Sequence, residues 1–239
     1  MEAISLKAQQ LFTIGGFSVT NGLVLTLVVS LVLIVFAFIL NKKISVMPGK
    51  LQSGLEMGVE WFLDLMASTL GSTQKAEMYF PLVATIFIFI MVSNLLGIFP
   101  GVGSIHVGEV PLFRSPAADL NFTLAFAVIS VIMTNLLGMA SVGVFAHLGK
   151  FFNFKNPIYF FIGLLEIVSE FAKIISLSFR LFGNVFAGEV LLTIIFFLAP
   201  YFIPLPFLFL EIFVGLIQAF LFAMLTLISI SIHTAIHEH

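Results

Sequence analysis

The sequence predicts an all-α membrane protein, with five transmembrane helices plus one interfacial amphipathic helix and a long, tilted C-terminal helical hairpin. Three observations carry that prediction. The chain is 60% hydrophobic and 9% charged, whereas a soluble domain carries about 25% charged residues. Five apolar stretches reach the length needed to cross a bilayer. Between the first two, acidic residues recur every fourth position along a segment too polar to cross.

The spans are expected at residues 23–40, 80–99, 120–147, 158–198 and 205–233, within a single integral membrane domain covering residues 1–239. Residues 1–22 lack the basic start and small-residue cleavage site of a signal peptide, so they read as an outer segment and the first span as retained. In residues 50–70, Glu56, Glu60 and Asp64 oppose Leu55, Val59, Phe62, Leu63 and Met66. That pattern predicts a helix lying in the interface, with Trp61 as an anchor. Residues 100–119, rich in Gly and Pro, form a connection, and the prolines at 200, 204 and 206 break the last apolar mass into a hairpin. The fourth stretch would be about 60 Å long as a helix, twice a hydrocarbon thickness of about 30 Å. It must therefore lie steeply tilted.

Five spans put the termini on opposite sides. Lys42, Lys43, Lys50, Lys75, Lys150 and Lys155 then share one side, against Lys7 and Arg114 on the other. The positive-inside rule makes the N-terminus external and the C-terminus cytoplasmic. A net charge of −2 offers no basic patch for nucleic acid. The absence of cysteine excludes disulfides and thiolate metal sites. Gly143 with Gly149 and Lys150 superficially resembles a phosphate-binding loop, but the spacing is one residue too long and Phe151 replaces the required hydroxyl. No cofactor or metal is expected. His233, His237 and His239 read as a solvated cytoplasmic tail.

Arg180 is the most informative residue. It lies deep in the fourth span, where a charge costs roughly 2.5 to 3.5 kcal/mol on insertion scales, and guanidinium does not give up its proton at working pH. On an ideal helix Glu166, Lys173, Ser176 and Asn184 fall within about 40° of its direction, with Glu170 to the side. Glu170 and Lys173 are spaced to pair at i, i+3. Glu189 points to nearly the opposite face. In the last span Glu211 and Gln218 share a face, and an antiparallel hairpin with Gln218 level with Arg180 brings Glu211 beside Glu189. Asp119 reads as the cap of the third span or as a polar group at a channel mouth, capping being preferred. Asn94 to Gly97 and Asn135 to Gly138, near the ends of spans that run in opposite directions, share the string NLLG; coincidence is preferred to an ancient inverted repeat, both glycines allowing close helix packing.

The string SLSFRLFGNVFAGE at 176–189 resembles the signature of subunit a of F-type ATP synthases, the stationary ion-conducting subunit of a rotary membrane motor. GLIQAFLFAML at 215–225, SPAADLN at 115–121 and NLLG at 94–97 continue the resemblance in the family's order. The resemblance implies the same five-helix fold, with residues 158–239 as an ion-conducting hairpin facing a ring of c subunits. It implies that Arg180 faces the ring's ion-binding carboxyls, forcing their deprotonation and blocking a leak between two half-channels. Asn184, Glu189 and Gln218 match positions lining the outer half-channel, while Glu211 stands where other members often carry a histidine. The stripe of Glu166, Glu170, Lys173 and Ser176 is assigned to the cytoplasmic half-channel. Implied partners are the c ring, the b-subunit peripheral stalk, the other subunits and the bilayer, with a bacterial inner membrane as the location; proton and sodium coupling stay open. The rival reading is a self-contained channel or secondary transporter, which usually shows strong internal repeats.

Overall fold

A computed structural model describes residues 9–14, 16–45, 49–99, 105–107, 110–151 and 157–234. The five long apolar helices are α1 (Asn21–Lys43), α3 (Thr73–Ile98), α4 (Leu120–Val142), α6 (Pro157–Leu198) and α7 (Pro204–Thr234). Between α1 and α3 runs α2 (Lys50–Leu70), over the residues whose acidic periodicity predicts it. Among the described residues two short antiparallel strand pairs accompany the helices: β1 (Gln10–Ile14) with β2 (Phe17–Thr20), and β3 (His106–Val107) with β4 (Val110–Pro111).

Local chemistry sets the helix ends. Thr20 and Ser72 cap α1 and α3 through their hydroxyls, and the Asp119 carboxylate accepts from the Asn121 amide to cap α4. Asp119 thus takes the capping role, buried beside Gly22 of α1. The second span begins at Thr73, earlier than its apolar run, because the Ser72 cap starts the helix among polar residues. The third span does not reach residue 147. It stops at Gly143, whose φ of 91° is open to glycine and costly for other residues. A separate helix, α5 (Val144–Phe151), then leads toward α6.

The helices pack through small and hydroxyl-bearing residues, as expected where lipid offers no hydrophobic drive between them. Ser130 of α4 meets Thr226 of α7 at 2.8 Å, and Thr123 of α4 meets Ser178 of α6 at 3.1 Å. Asn94 of α3 donates to the Gly215 carbonyl of α7 at 2.8 Å. Around these pins Ile90, Ala127, Leu181 and Phe222 fill one core cluster. Phe62 and Met66 of α2 fill a second against Tyr79, Val83, Leu227 and Ile230. Only that half of α2's apolar set is buried: Leu55 and Val59 are exposed, since α2 leans on α3 and α7 at Phe62 and Met66. Trp61 stays exposed with its ring 6.1 Å from that of Phe220.

Helix α6 runs unbroken for 42 residues, a length of about 63 Å that a bilayer accommodates only by tilt. Its buried face, including Leu177, Ser178, Leu181 and Val185, lies on α4 and α7. Phe171, Ile175 and Phe179 are among the large apolar residues it leaves exposed, and α7 adds Phe213, Leu216 and Leu221.

Candidate functional site: the polar groups of the terminal hairpin

Arg180 lies on the exposed side of α6, where its Nη2 donates to Ser176 Oγ at 3.3 Å. Among the described residues no carboxylate lies within ion-pair distance of it. Farther along its line toward the hairpin turn come Ala187, Leu191 and Ile194, all exposed. A permanent cation therefore stands on a largely apolar surface of membrane-crossing length without a counter-ion among the described residues.

One turn from Arg180 toward the hairpin turn, Asn184 Nδ2 donates to Gln218 Oε1 at 2.7 Å, joining α6 to α7. Gln218 is thus level with Asn184 and not with Arg180, because the amide supplies a short donor aimed at α7 while the arginine turns outward to Ser176. Glu211 falls at the expected depth. Its carboxyl lies against Gly188, where a Cβ would come within 2.8 Å of Oε1, and the Glu189 charge is within Coulombic reach. Glu211 Oε2 is buried with no hydrogen-bond partner among the described residues. Asn94, Asn184 and Glu211 line a small cleft between α3, α6 and α7, with Gly215 in its wall.

The Glu189 carboxylate also has a partner from outside the hairpin: Arg114 Nε, in the segment before α4, lies 3.7 Å from its Oε2. In the sequence Arg114 reads only as a loop charge. A basic residue just before the SPAADLN string was the signal available, but no helical period links 114 to 189. Asn94 was visible as an amide in an apolar span, which by itself marks a candidate polar site.

Toward the open end of the hairpin the predicted stripe divides. Ser176 is exposed and Glu166 and Lys173 are half-buried, but Glu170 is buried on the α4 side. The expected i, i+3 pair forms, with Lys173 Nζ 2.5 Å from Glu170 Oε1. Asn135 Nδ2 of α4 donates to Glu170 Oε2 at 3.1 Å, and His233 Nε2 of α7 lies 3.3 Å from Oε1. His233 is therefore not solvated: it is 1% exposed, packed beside Glu170 and the His147 ring. His237 and His239 lie outside the described residues. The two NLLG strings do open space at their glycines, Gly97 against Ser115 and Gly138 against His147 and His233.

The comparisons with known proteins point one way. The family model described as ATP synthase A chain matches residues 23–231. The chain belongs to this family. It is 34% identical over 234 residues to ATP synthase subunit a of Moorella thermoacetica, covering 98% of this chain and 99% of that one. To the subunit a of Campylobacter concisus it is 36% identical, with 88% of each chain covered. To that of Syntrophobacter fumaroxidans it is also 36% identical, with 92% of this chain and 86% of the relative covered. As an ATP synthase A chain, the protein is a multi-pass membrane subunit of that complex and not a catalytic enzyme on its own. Its partners are accordingly other subunits of the synthase.

Proposed function

We propose that this chain is the stator of the rotary motor, carrying protons or sodium ions to and from carboxyls on a c ring through two half-channels. The supporting observation is Arg180 on the exposed apolar face of α6 with no carboxylate in ion-pair distance among the described residues, and a polar cluster toward each end of the hairpin. A carboxylic acid brought along that face in lipid is neutral; beside a fixed guanidinium its anion is stabilised and it gives up its ion. Arg180 cannot itself pass the proton on, so it separates the two paths.

The outer half-channel comprises Asn184, Glu189, Glu211 and Gln218, with Asp119 near its mouth as the α4 cap. The cytoplasmic half-channel follows Glu166, Glu170, Lys173 and Ser176 to Arg180. The lysine distribution supports an external N-terminus and a cytoplasmic C-terminus. Bacterial relatives support a bacterial inner membrane. The whole chain then forms one membrane domain, with the exposed face of α6 against the c ring and the peripheral b stalk held elsewhere on the stator.

The test is Arg180→Ala, and separately Arg180→Lys, in the complete complex reconstituted in vesicles. Both should abolish ion-driven ATP synthesis while the subunit still inserts, since an ammonium deprotonates when buried and lacks the planar fork. Normal synthesis by the lysine variant refutes the assignment.

A further inference from the structure

The groups around Glu170 form a site that the ion path alone does not require. Four helices contribute to it: Asn135 and Gly138 from α4, His147 from α5, Glu170 and Lys173 from α6, and His233 from α7. Glu166, one turn from Glu170 and half-buried, is the remaining charged neighbour on α6. The site is built to hold its rings. A Cβ on Gly138 would come within 2.8 Å of His147 Cε1 and 3.0 Å of His233 Cβ, so glycine makes the room both histidines occupy.

Hydrogen-bond logic fixes the donors. Asn135 Nδ2 gives to Glu170 Oε2 and to the Val131 carbonyl, so its Oδ1 is left to accept from His147 Nε2 at 3.1 Å. His233 Nε2 lies 3.3 Å from Glu170 Oε1. Lys173 and His233 thus share one oxygen, Glu170 Oε1, at 2.5 and 3.3 Å. While His233 is neutral, the Lys173 ammonium and the Glu170 carboxylate balance. A proton taken up by His233 leaves the ring cationic, so two cations compete for one oxygen and repel each other across it.

We propose that His233 is a proton-taking positioning residue: when protonated it displaces the Lys173 ammonium from Glu170 toward the Arg180 stripe. Ion transfer at the hairpin's open end is thereby made dependent on the pH of that side. The inference deepens the proposed function, resting on it for where the stripe leads; the proton site itself stands on the geometry. His233→Gln keeps a donor for Glu170 and removes the titration.

The experiment measures ATP-driven pumping by the complete synthase in vesicles, normalised to ATP hydrolysis, from about pH 5.5 to 8.5, the range in which histidine changes charge. The ratio of His233→Gln to parent should change by about threefold across this range, the scale of a partly exposed ion pair. In a Lys173→Met background the same ratio should be flat. Nuclear magnetic resonance of the nitrogen-15 histidine-labelled parent complex should show a ring titrating in that window, assigned by its loss in His233→Gln. A flat ratio in the native background, a pH step that survives without Lys173, or a His233 ring that does not titrate overturns the proposal. Should Arg180→Ala leave pumping intact, the ion-path reading fails, while the ring titration still reports on His233.

Discussion

Asn184 Nδ2 and Gln218 Oε1, 2.7 Å apart, set the register of α6 on α7 at the depth next to Arg180. Both residues come from spans otherwise built of Leu, Ile and Phe, so each amide's best alternative partner inside lipid is poor. Removing either should weaken the hairpin by about 1 kcal/mol, the net contribution of a typical hydrogen bond. Removing both should cost little more than removing one. Thermal unfolding of the purified complex with Asn184→Ala, Gln218→Ala and the double variant measures this, and additive losses would show that the two amides act separately.

Glu189 and Glu211 face one region near Gly188, and Arg114 supplies the positive charge there. If the two carboxyls work as one unit, Glu189→Gln and Glu211→Gln each slow proton flux and the double variant loses far less than the sum. Arg114→Gln should also slow flux, by leaving Glu189 without its counter-ion, and adding Glu189→Gln should recover part of that loss. Proton-pumping vesicles carrying all five variants report the couplings directly. Strict additivity among them means independent groups.

The stripe leading to Arg180 is testable because the parent has no cysteine. Single cysteines at Ser169, Lys173 and Ser176 should react with a water-borne thiol reagent in intact membranes. Phe171 and Ile175, exposed on the structure but off the stripe's line, should not. A wetted wall is selective by face, whereas an interfacial cluster is wet only by depth. Reactivity that fades smoothly with depth moves the half-channel away from this stripe.

Gly138→Ala places a methyl against two buried imidazoles. Overpacking of this kind typically costs 1–3 kcal/mol. The complex should lose thermal stability, with part of the loss restored when His147 is shortened to Ala in the same chain. A Gly138→Ala complex as stable as the parent would mean that α5 and α7 yield easily at this point.

Much of the fold was already legible because membrane insertion is decided locally. A 20-residue apolar run must satisfy its backbone by coiling, whatever the rest of the chain does, so the five spans follow from composition along the line. The α2 helix follows in the same way from Glu56, Glu60 and Asp64 at four-residue spacing, and the Asp119 cap from a side chain reaching the amide two residues on. Arg180 stands out by the same arithmetic, as a charge in a window that penalises charge. Intrahelical geometry also foretold the Glu170–Lys173 pair. The break at Gly143 was written in a residue type but not in its φ, which depends on where α5 has to go.

Contacts between segments distant in sequence needed the tertiary structure. Nothing periodic connects Arg114 to Glu189, or Asn135 and His233 to Glu170; those pairs exist because α4, α6 and α7 approach closely at hydroxyl-bearing and small residues. The same packing turned Glu170 inward from the stripe it borders and buried His233, whose place near the chain end suggested solvent. A sequence fixes which side chains one helix presents together, through its turn of 3.6 residues. Which helix then receives them depends on the long-range packing of all five spans, and in this protein that packing gathered Glu170 and Glu189 with their partners.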